Sequence, residues 1–179
     1  MAIVTLKVAG YLQGLQVTET AKPDLKNPVH FLAFGFGSGL LPKAPGTAGT
    51  VVAIIPWLWF TQFSLLIYCS VLLLAILLGI YLCEKTSNDL GVHDHGGIVW
   101  DEFCGFWLTM IAVPASWQWI LAGFVLFRLF DIFKPWPINW LDKSVSGGFG
   151  IMVDDLLAGL YALVILQAVI YFNNSAGMT

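Results

Sequence analysis

Charged residues are absent from this chain over long blocks, and those blocks set the architecture it predicts. From Ala44 to Cys83 runs a stretch of 40 residues without an Asp, Glu, Lys or Arg. A helix needs about 20 apolar residues to cross a bilayer, so this run has the length of two. Thr61-Gln62-Phe63-Ser64 is its natural turn, which predicts a helical hairpin with arms near 48–60 and 64–84. The first arm is short, and Pro56 within it is expected to disturb the helix by removing a backbone donor. A second uncharged run, Phe103 to Phe127, holds 25 residues centred on Pro114. Two full spans do not fit that length, and one span would leave Asp101-Glu102 and Asp131 on opposite faces. A half-depth, re-entrant hairpin turning at Val113-Pro114-Ala115-Ser116 returns the chain to its starting face. Such elements are tolerated in a bilayer where protein buries them. The last run, from Leu156 to near Phe172, supplies one more span, and Asn173 to Thr179 reads as a short polar tail. None of the apolar segments alternates as barrel strands do. The predicted fold is therefore all-α, a multi-pass integral membrane helical bundle with one re-entrant or half-depth hairpin. Residues 1–27 lack the apolar core of a signal peptide and are expected to form a surface or mobile segment. Residues 28–179 are expected to form one membrane-embedded domain.

Composition strengthens the membrane reading. Apolar residues make up 58% of the 179 and charged residues 11%, with mean hydropathy +0.81. A soluble domain has about 45–50% and 25%. The net charge of −3 and the absence of a basic stripe exclude a nucleic-acid partner. Cys69, Cys83 and Cys104 sit in or beside apolar runs without a CxxC, so neither a disulfide framework nor a zinc site is indicated. In the hairpin topology Lys7, Lys22, Lys26, Lys43, Lys85, Arg128, Lys134 and Lys143 all share one face. The positive-inside rule makes that face cytoplasmic. Trp57, Trp59, Trp100, Trp107, Trp117, Trp119, Trp136 and Trp140 fit belts at the two interfaces.

Against this background the charged positions stand out, because an ionisable group at a membrane edge is costly and marks function by default. Phe127 to Pro137 carries Arg128, Asp131 and Lys134 at every third position, one stripe on a helix that Pro135 ends. Asp101-Glu102 precede an apolar run, and as helix neighbours they point about 100° apart. Asp154-Asp155 are expected to open the last helix after Gly147-Gly148-Phe149-Gly150. The glycine-rich segment Gly35–Thr50 leads into an apolar helix, where free backbone N–H groups suit a phosphate. Lys43 would add a charge there, and Thr47 or Thr50 could cap the helix or donate to an oxyanion. It is not a P-loop, since GxxxxGK[ST] is absent. Each segment also has a plainer reading: glycines for close helix packing, acids for a helix dipole, a self-satisfied ion ladder for the stripe. His93 and His95 read as solvated loop residues and His30 as structural. Asp101, Glu102, Asp131, Asp154 and Asp155 are more persuasive together than singly, being five of only eleven acids and all beside apolar segments. Gathered without a cation they would repel one another and resist ionisation. An all-oxygen set without cysteine suits a hard ion such as Mg²⁺ rather than zinc.

Four blocks carry a resemblance that covers most of residues 30–160. They are Gly35–Thr50 with its Lys-Ala-Pro-Gly-Thr-Ala-Gly-Thr, Val99-Trp100-Asp101-Glu102-Phe103, Phe127–Pro137, and Gly148 through Asp154-Asp155. In this order they resemble the phosphatidylglycerophosphatase A family of bacteria. The resemblance implies a helical, Mg²⁺-dependent lipid phosphatase of the inner membrane, converting phosphatidylglycerophosphate to phosphatidylglycerol and phosphate. The expected metal ligands are Asp101, Glu102, Asp131, Asp154 and Asp155. Lys43, Thr47, Thr50, Arg128 and Lys134 are expected to bind phosphate, and Asp101, Glu102, Asp131, Lys43 and Lys134 to form the catalytic set. With no obvious histidine or cysteine nucleophile, direct attack by water is expected. The expected partners are the phospholipid substrate and membrane lipids. The alternative is an ion or proton transporter with intramembrane carboxylates, which would need acids deep within spans and pseudo-repeats. Neither is evident.

Overall fold

The structure, a computed structural model, describes residues 22–176, and among these it is all-helical. In chain order the elements are α1 (Pro28–Ala33), a 3-10 segment (Gly35–Leu40), α2 (Pro45–Phe60), α3 (Leu65–Leu90), α4 (Trp100–Thr109), α5 (Trp117–Phe133), α6 (Ile138–Ser144) and α7 (Gly147–Ala176). Most of the expected N-terminal segment, residues 1–21, lies outside the described residues, as does the end of the expected tail, 177–179.

Local chemistry explains the boundaries. The Asn27 side chain caps α1 by accepting from the Val29 N–H at 3.0 Å. Pro45 opens α2, where its missing N–H has no helical partner to lose. Ser64 caps α3, which ends on left-handed Gly91. The α2–α3 turn falls on Thr61–Ser64 as the pattern predicts. Pro56, in contrast, does not break α2, which runs unbroken through it. Nearby, Trp107 Nε1 donates to the Ala53 carbonyl at 2.8 Å and ties this part of α2 to α4. Trp107 is buried, as are Trp57 and Trp100. These three belong to the core and not to an interfacial belt. For Trp100 and Trp107 the indole N–H finds a helix carbonyl, Trp100 reaching Ala75 at 3.0 Å and Trp107 reaching Ala53 at 2.8 Å.

α4 is the axis of the bundle. It packs against α2, α3, α5 and α7, and eight of its ten residues are buried. The expected α4–α5 hairpin is present and turns through residues 110–116. Its tip reaches as far as the α2–α3 turn. Phe60, Thr61 and Phe63 line one cavity with Met110, Ala112 and Val113, and Tyr68 donates to the Trp107 carbonyl at 2.6 Å. Gln167 of α7 joins the same end through the Ile111 carbonyl at 2.6 Å. That end, made of residues 61–64, 110–116 and 171–176, contains no charged residue. The opposite end gathers the N-termini of α2, α4 and α7 with the C-termini of α3 and α5.

Two helices, Leu65–Leu90 and Gly147–Ser175, are long and apolar enough to cross a bilayer. The outward faces are also apolar: Leu66 is 78% exposed, Ile55 70% and Val164 62%. A water-soluble bundle would turn polar faces outward.

A close helix approach joins α4 and α7. A methyl group on Gly159 would stand 2.4 Å from the Gly105 carbonyl oxygen, and one on Gly105 2.8 Å from the Asp155 carbonyl oxygen. Thr109 locks the crossing, its hydroxyl lying 3.0 Å from the Gly105 carbonyl and 3.3 Å from that of Gly159. Gly159→Val is therefore expected to force the helices apart and destabilise the bundle by about 1–3 kcal/mol, the usual range for overpacking. Thermal unfolding of the detergent-solubilised protein measures this, and an unchanged midpoint would show that the crossing tolerates bulk.

Candidate active site

One turn from the glycine crossing, α4 and α7 bring carboxylates face to face. Asp101 and Glu102 lie in the first turn of α4, and Asp155 precedes Gly159 by four residues on α7. Each offers an oxygen within 4.8 Å of the others. α7 begins at Gly147, so Asp154 and Asp155 lie two turns into it and do not open it as expected. Dipole stabilisation at a helix start, which fades within the first turn, therefore does not account for them. Asp155 is 3% exposed.

The remaining charges surround this triplet. Asp131 on α5 pairs with Arg128 one turn earlier and faces Asp155. Arg128 Nη1 also lies 3.7 Å from Glu102 Oε1. Lys134 departs from the predicted stripe. α5 ends at Phe133, and Lys134 adopts a left-handed φ of 42° as its cap. This turns its ammonium away from Asp131 to Asp154 and Asp142, at 2.7 and 2.6 Å. The tertiary structure thus joins all five expected ligand acids, together with Arg128 and Lys134.

Burial dominates the electrostatics. It holds the Asp101 carboxyl well above the usual carboxylate range, reinforced by the Glu102 and Asp155 charges. Burial likewise pushes Glu102 up to about 7, although its contacts with Asp101 and Arg128 act the other way. At Lys134 burial disfavours the ammonium, but the bonds to Asp142 and Asp154 prevail and raise its pKa above the ordinary lysine value. Asp101 Oδ1, Glu102 Oε2 and Asp154 Oδ1 are buried with no hydrogen-bond partner in the protein. Each such atom costs about 1–3 kcal/mol if left alone, and more when charged.

The glycine-rich segment meets this cluster through a residue the sequence reading passed over. Gly46, in the first turn of α2, packs so closely that a methyl group there would stand 2.0 Å from Glu102 Oε1 and 3.1 Å from Arg128 Nη1. Its neighbours fare differently. Thr50 is fully buried and its hydroxyl donates to the Gly46 carbonyl at 2.8 Å, leaving no proton for a phosphate. Thr47 is half-buried on another face of α2, and Lys43 is exposed before the helix. Neither is joined to the acids.

Asp142, Asp94 and His93 were also not anticipated as part of the site. They line a small cavity with Asp101 and Asp154. His93 remains a loop residue whose Nε2 accepts from the Gly147 N–H at 3.1 Å, and His95 Nδ1 accepts from the Gly97 N–H at 3.0 Å. His30 is structural as expected, buried between the Asp24 N–H and Asp89. Asp142 had a readable signal, an acid eight residues after Lys134, but only α6 folding back makes them neighbours.

The family model described as phosphatidylglycerophosphatase A matches residues 31–170. A protein of Escherichia coli (strain K12) named phosphatidylglycerophosphatase A is 52% identical over 157 residues, covering 86% of this chain and 89% of that protein. A Haemophilus influenzae protein of the same name is 51% identical over 156 residues, covering 84% of this chain and 94% of that protein. No solved structure matches. The matched span includes every carboxylate and cation of the cluster, and on this similarity the chain belongs to the phosphatidylglycerophosphatase A family.

Proposed function

We propose that the protein hydrolyses the terminal phosphomonoester of phosphatidylglycerophosphate, giving phosphatidylglycerol and phosphate, in a Mg²⁺-dependent reaction at the cytoplasmic face of the bacterial inner membrane. The observation that carries this reading is the buried carboxylate triplet, its oxygens within 4.8 Å of one another, with orphaned oxygens on Asp101, Glu102 and the adjacent Asp154. A hard divalent cation satisfies such atoms, and an all-oxygen donor set suits Mg²⁺. Asp101, Glu102 and Asp155 would hold it, with Asp131 and Asp154 at the rim. Bound there, the ion would polarise phosphoryl oxygens and lower the pKa of a water.

The chain's own groups supply the rest. Arg128, already against Asp131 and near Glu102, provides positive charge to the phosphoryl oxygens, and Lys134 does so from the α7 side. Asp131, outside the tight triplet, accepts a proton as the water oxygen bonds to phosphorus. The phosphorus–oxygen bond to glycerol then breaks, and the proton passes to the departing alkoxide. Gly46 lets the start of α2 lie directly on the site, where its helix dipole favours an anion.

The separation of charge supports this placement in the membrane. Every described cation lies at the acid end or in the segments that join it, while the other end carries no charged residue. The positive-inside rule assigns the acid end to the cytoplasm. A transport path would need acids along the depth of the bundle, and these sit at one end.

Asp131→Asn and Asp155→Asn are expected to lower phosphate release from phosphatidylglycerophosphate at least about 100-fold, the order that general-base catalysis supplies. Both variants should elute from size-exclusion chromatography in detergent as the wild type does. Near-normal turnover by Asp131→Asn would remove that residue from the mechanism. Chelation should abolish phosphate release and added Mg²⁺ restore it. The ion should also raise the unfolding temperature of the wild type, because a ligand that binds only the folded state stabilises it. Full activity in excess chelator would exclude the metal.

A further inference from the structure

A groove on the outer face of α2 is not explained by the chemistry at the acids. Its wall is Ala44, Thr47, Ala48, Val51 and Val52, with Leu41 beside them and Lys43 at its mouth. Of these, Thr47, Ala48, Val51 and Val52 recur at three- and four-residue intervals and so form one stripe along α2, with Ala44 just before its start. Small residues at 44 and 48 make the hollow, and the wall is almost entirely apolar. Gly46 lies about 200° round the helix from Ala48 and faces Glu102. α2 therefore stands between the groove and the acids.

A helix with its side chains is about 10–12 Å across, so one ligand touching both sides must pass over the N-terminus of α2. That end is built for passage: Ala44, Pro45 and Gly46 are all small. Lys43, exposed beside it, makes no ion pair among the described residues. We infer that this groove seats an acyl chain of the lipid being hydrolysed, while Lys43 meets the inner phosphodiester and the terminal phosphate reaches over the α2 N-terminus to the acids. This inference rests on the phosphatase reading and adds to it a residue-level account of how the substrate is held.

The arrangement accounts for two otherwise separate observations. Lys43 is not joined to the carboxylates because its partner is the second phosphate of the ligand. The groove is apolar along its length and cationic only at its mouth, the polarity of a phospholipid read from tail to headgroup. A lipid with a glycerol between two phosphates has the shape to cross the end of a helix with a charge on either side.

The test fills the groove without touching the acids. Ala48→Phe and Val51→Phe are assayed with long-chain phosphatidylglycerophosphate at fixed mole fraction in mixed micelles, and with its dihexanoyl analogue, whose chains are too short to occupy the groove. Each variant is expected to lose about tenfold in kcat/KM on the long-chain lipid, equivalent to ~1.4 kcal/mol, through KM. Hydrolysis of the dihexanoyl analogue should stay within about twofold of wild type, which also shows that the variants fold. An unchanged kcat/KM on the long-chain lipid in both variants would overturn the inference and leave the groove to bulk lipid or to residues 1–21. Equal losses on both substrates would overturn it as well. Wild-type protein inactive on both lipids would instead sink the phosphatase reading itself.

Discussion

The approach of α4 to α7 at Gly105 and Gly159 is the constraint on which the rest of the molecule depends. At that point the backbone of one helix lies where a side chain of the other would be. Without hydrophobic force between helices in lipid, such packing and the hydrogen bonds around it provide much of the association. Thr109 supplies one, reaching carbonyls on both helices. Asp101 and Asp155 each precede their glycine by four residues, so the crossing that packs the glycines also sets these carboxylates face to face. Structural and chemical requirements thus fall on the same two helices, one turn apart.

The result is a concentration of like charge. Six acids gather about two cations: Glu102 and Asp131 lie against Arg128, Asp142 and Asp154 against Lys134, and Asp101 and Asp155 beside them pair with neither. Burial and mutual repulsion both resist ionisation there, and Asp101 and Glu102 show the effect. Such a site is poorly satisfied by the protein alone and well suited to a cationic guest. Lys134 meets part of the demand by adopting a left-handed backbone, which places its ammonium between Asp142 and Asp154. Strain of this sort persists where the surroundings over-determine it, and it clusters at functional sites.

Separating the charged end from the uncharged one gives a lipid enzyme its geometry. A headgroup must be processed while its chains stay in hydrocarbon. The outward faces of α2, α3 and α7 are apolar, and the acids lie behind the start of α2. The bundle therefore presents lipid-compatible walls along its length and its cluster of carboxylates at one rim. α4 makes this possible by being short: its acids begin where its burial begins.

Much of this was legible beforehand, and the misses have physical causes. Uncharged runs and the turn at Thr61–Ser64 predicted the α2–α3 hairpin, and counting residues between Asp101 and Asp131 predicted the return at Pro114. The same reasoning failed at Pro56, which costs α2 a single backbone donor and leaves the helix continuous from Pro45 to Phe60. It failed at Gly147–Gly150, which read as a break, because glycines inside a packed membrane helix serve close approach. Tryptophans 57, 100 and 107 were misplaced because their pattern is shared by belts and cores. By itself the sequence determined the helical class, the hairpins, the family and which acids gather, since these rest on hydrophobic run length, the cost of charge near lipid and short local patterns. Tertiary structure alone decided that Asp142 joins the site, that Lys134 leaves its stripe, that Thr50 turns inward and that Lys43 stands outside. Those outcomes depend on where a helix ends and which face it buries, and both are settled by contacts between residues far apart in the chain.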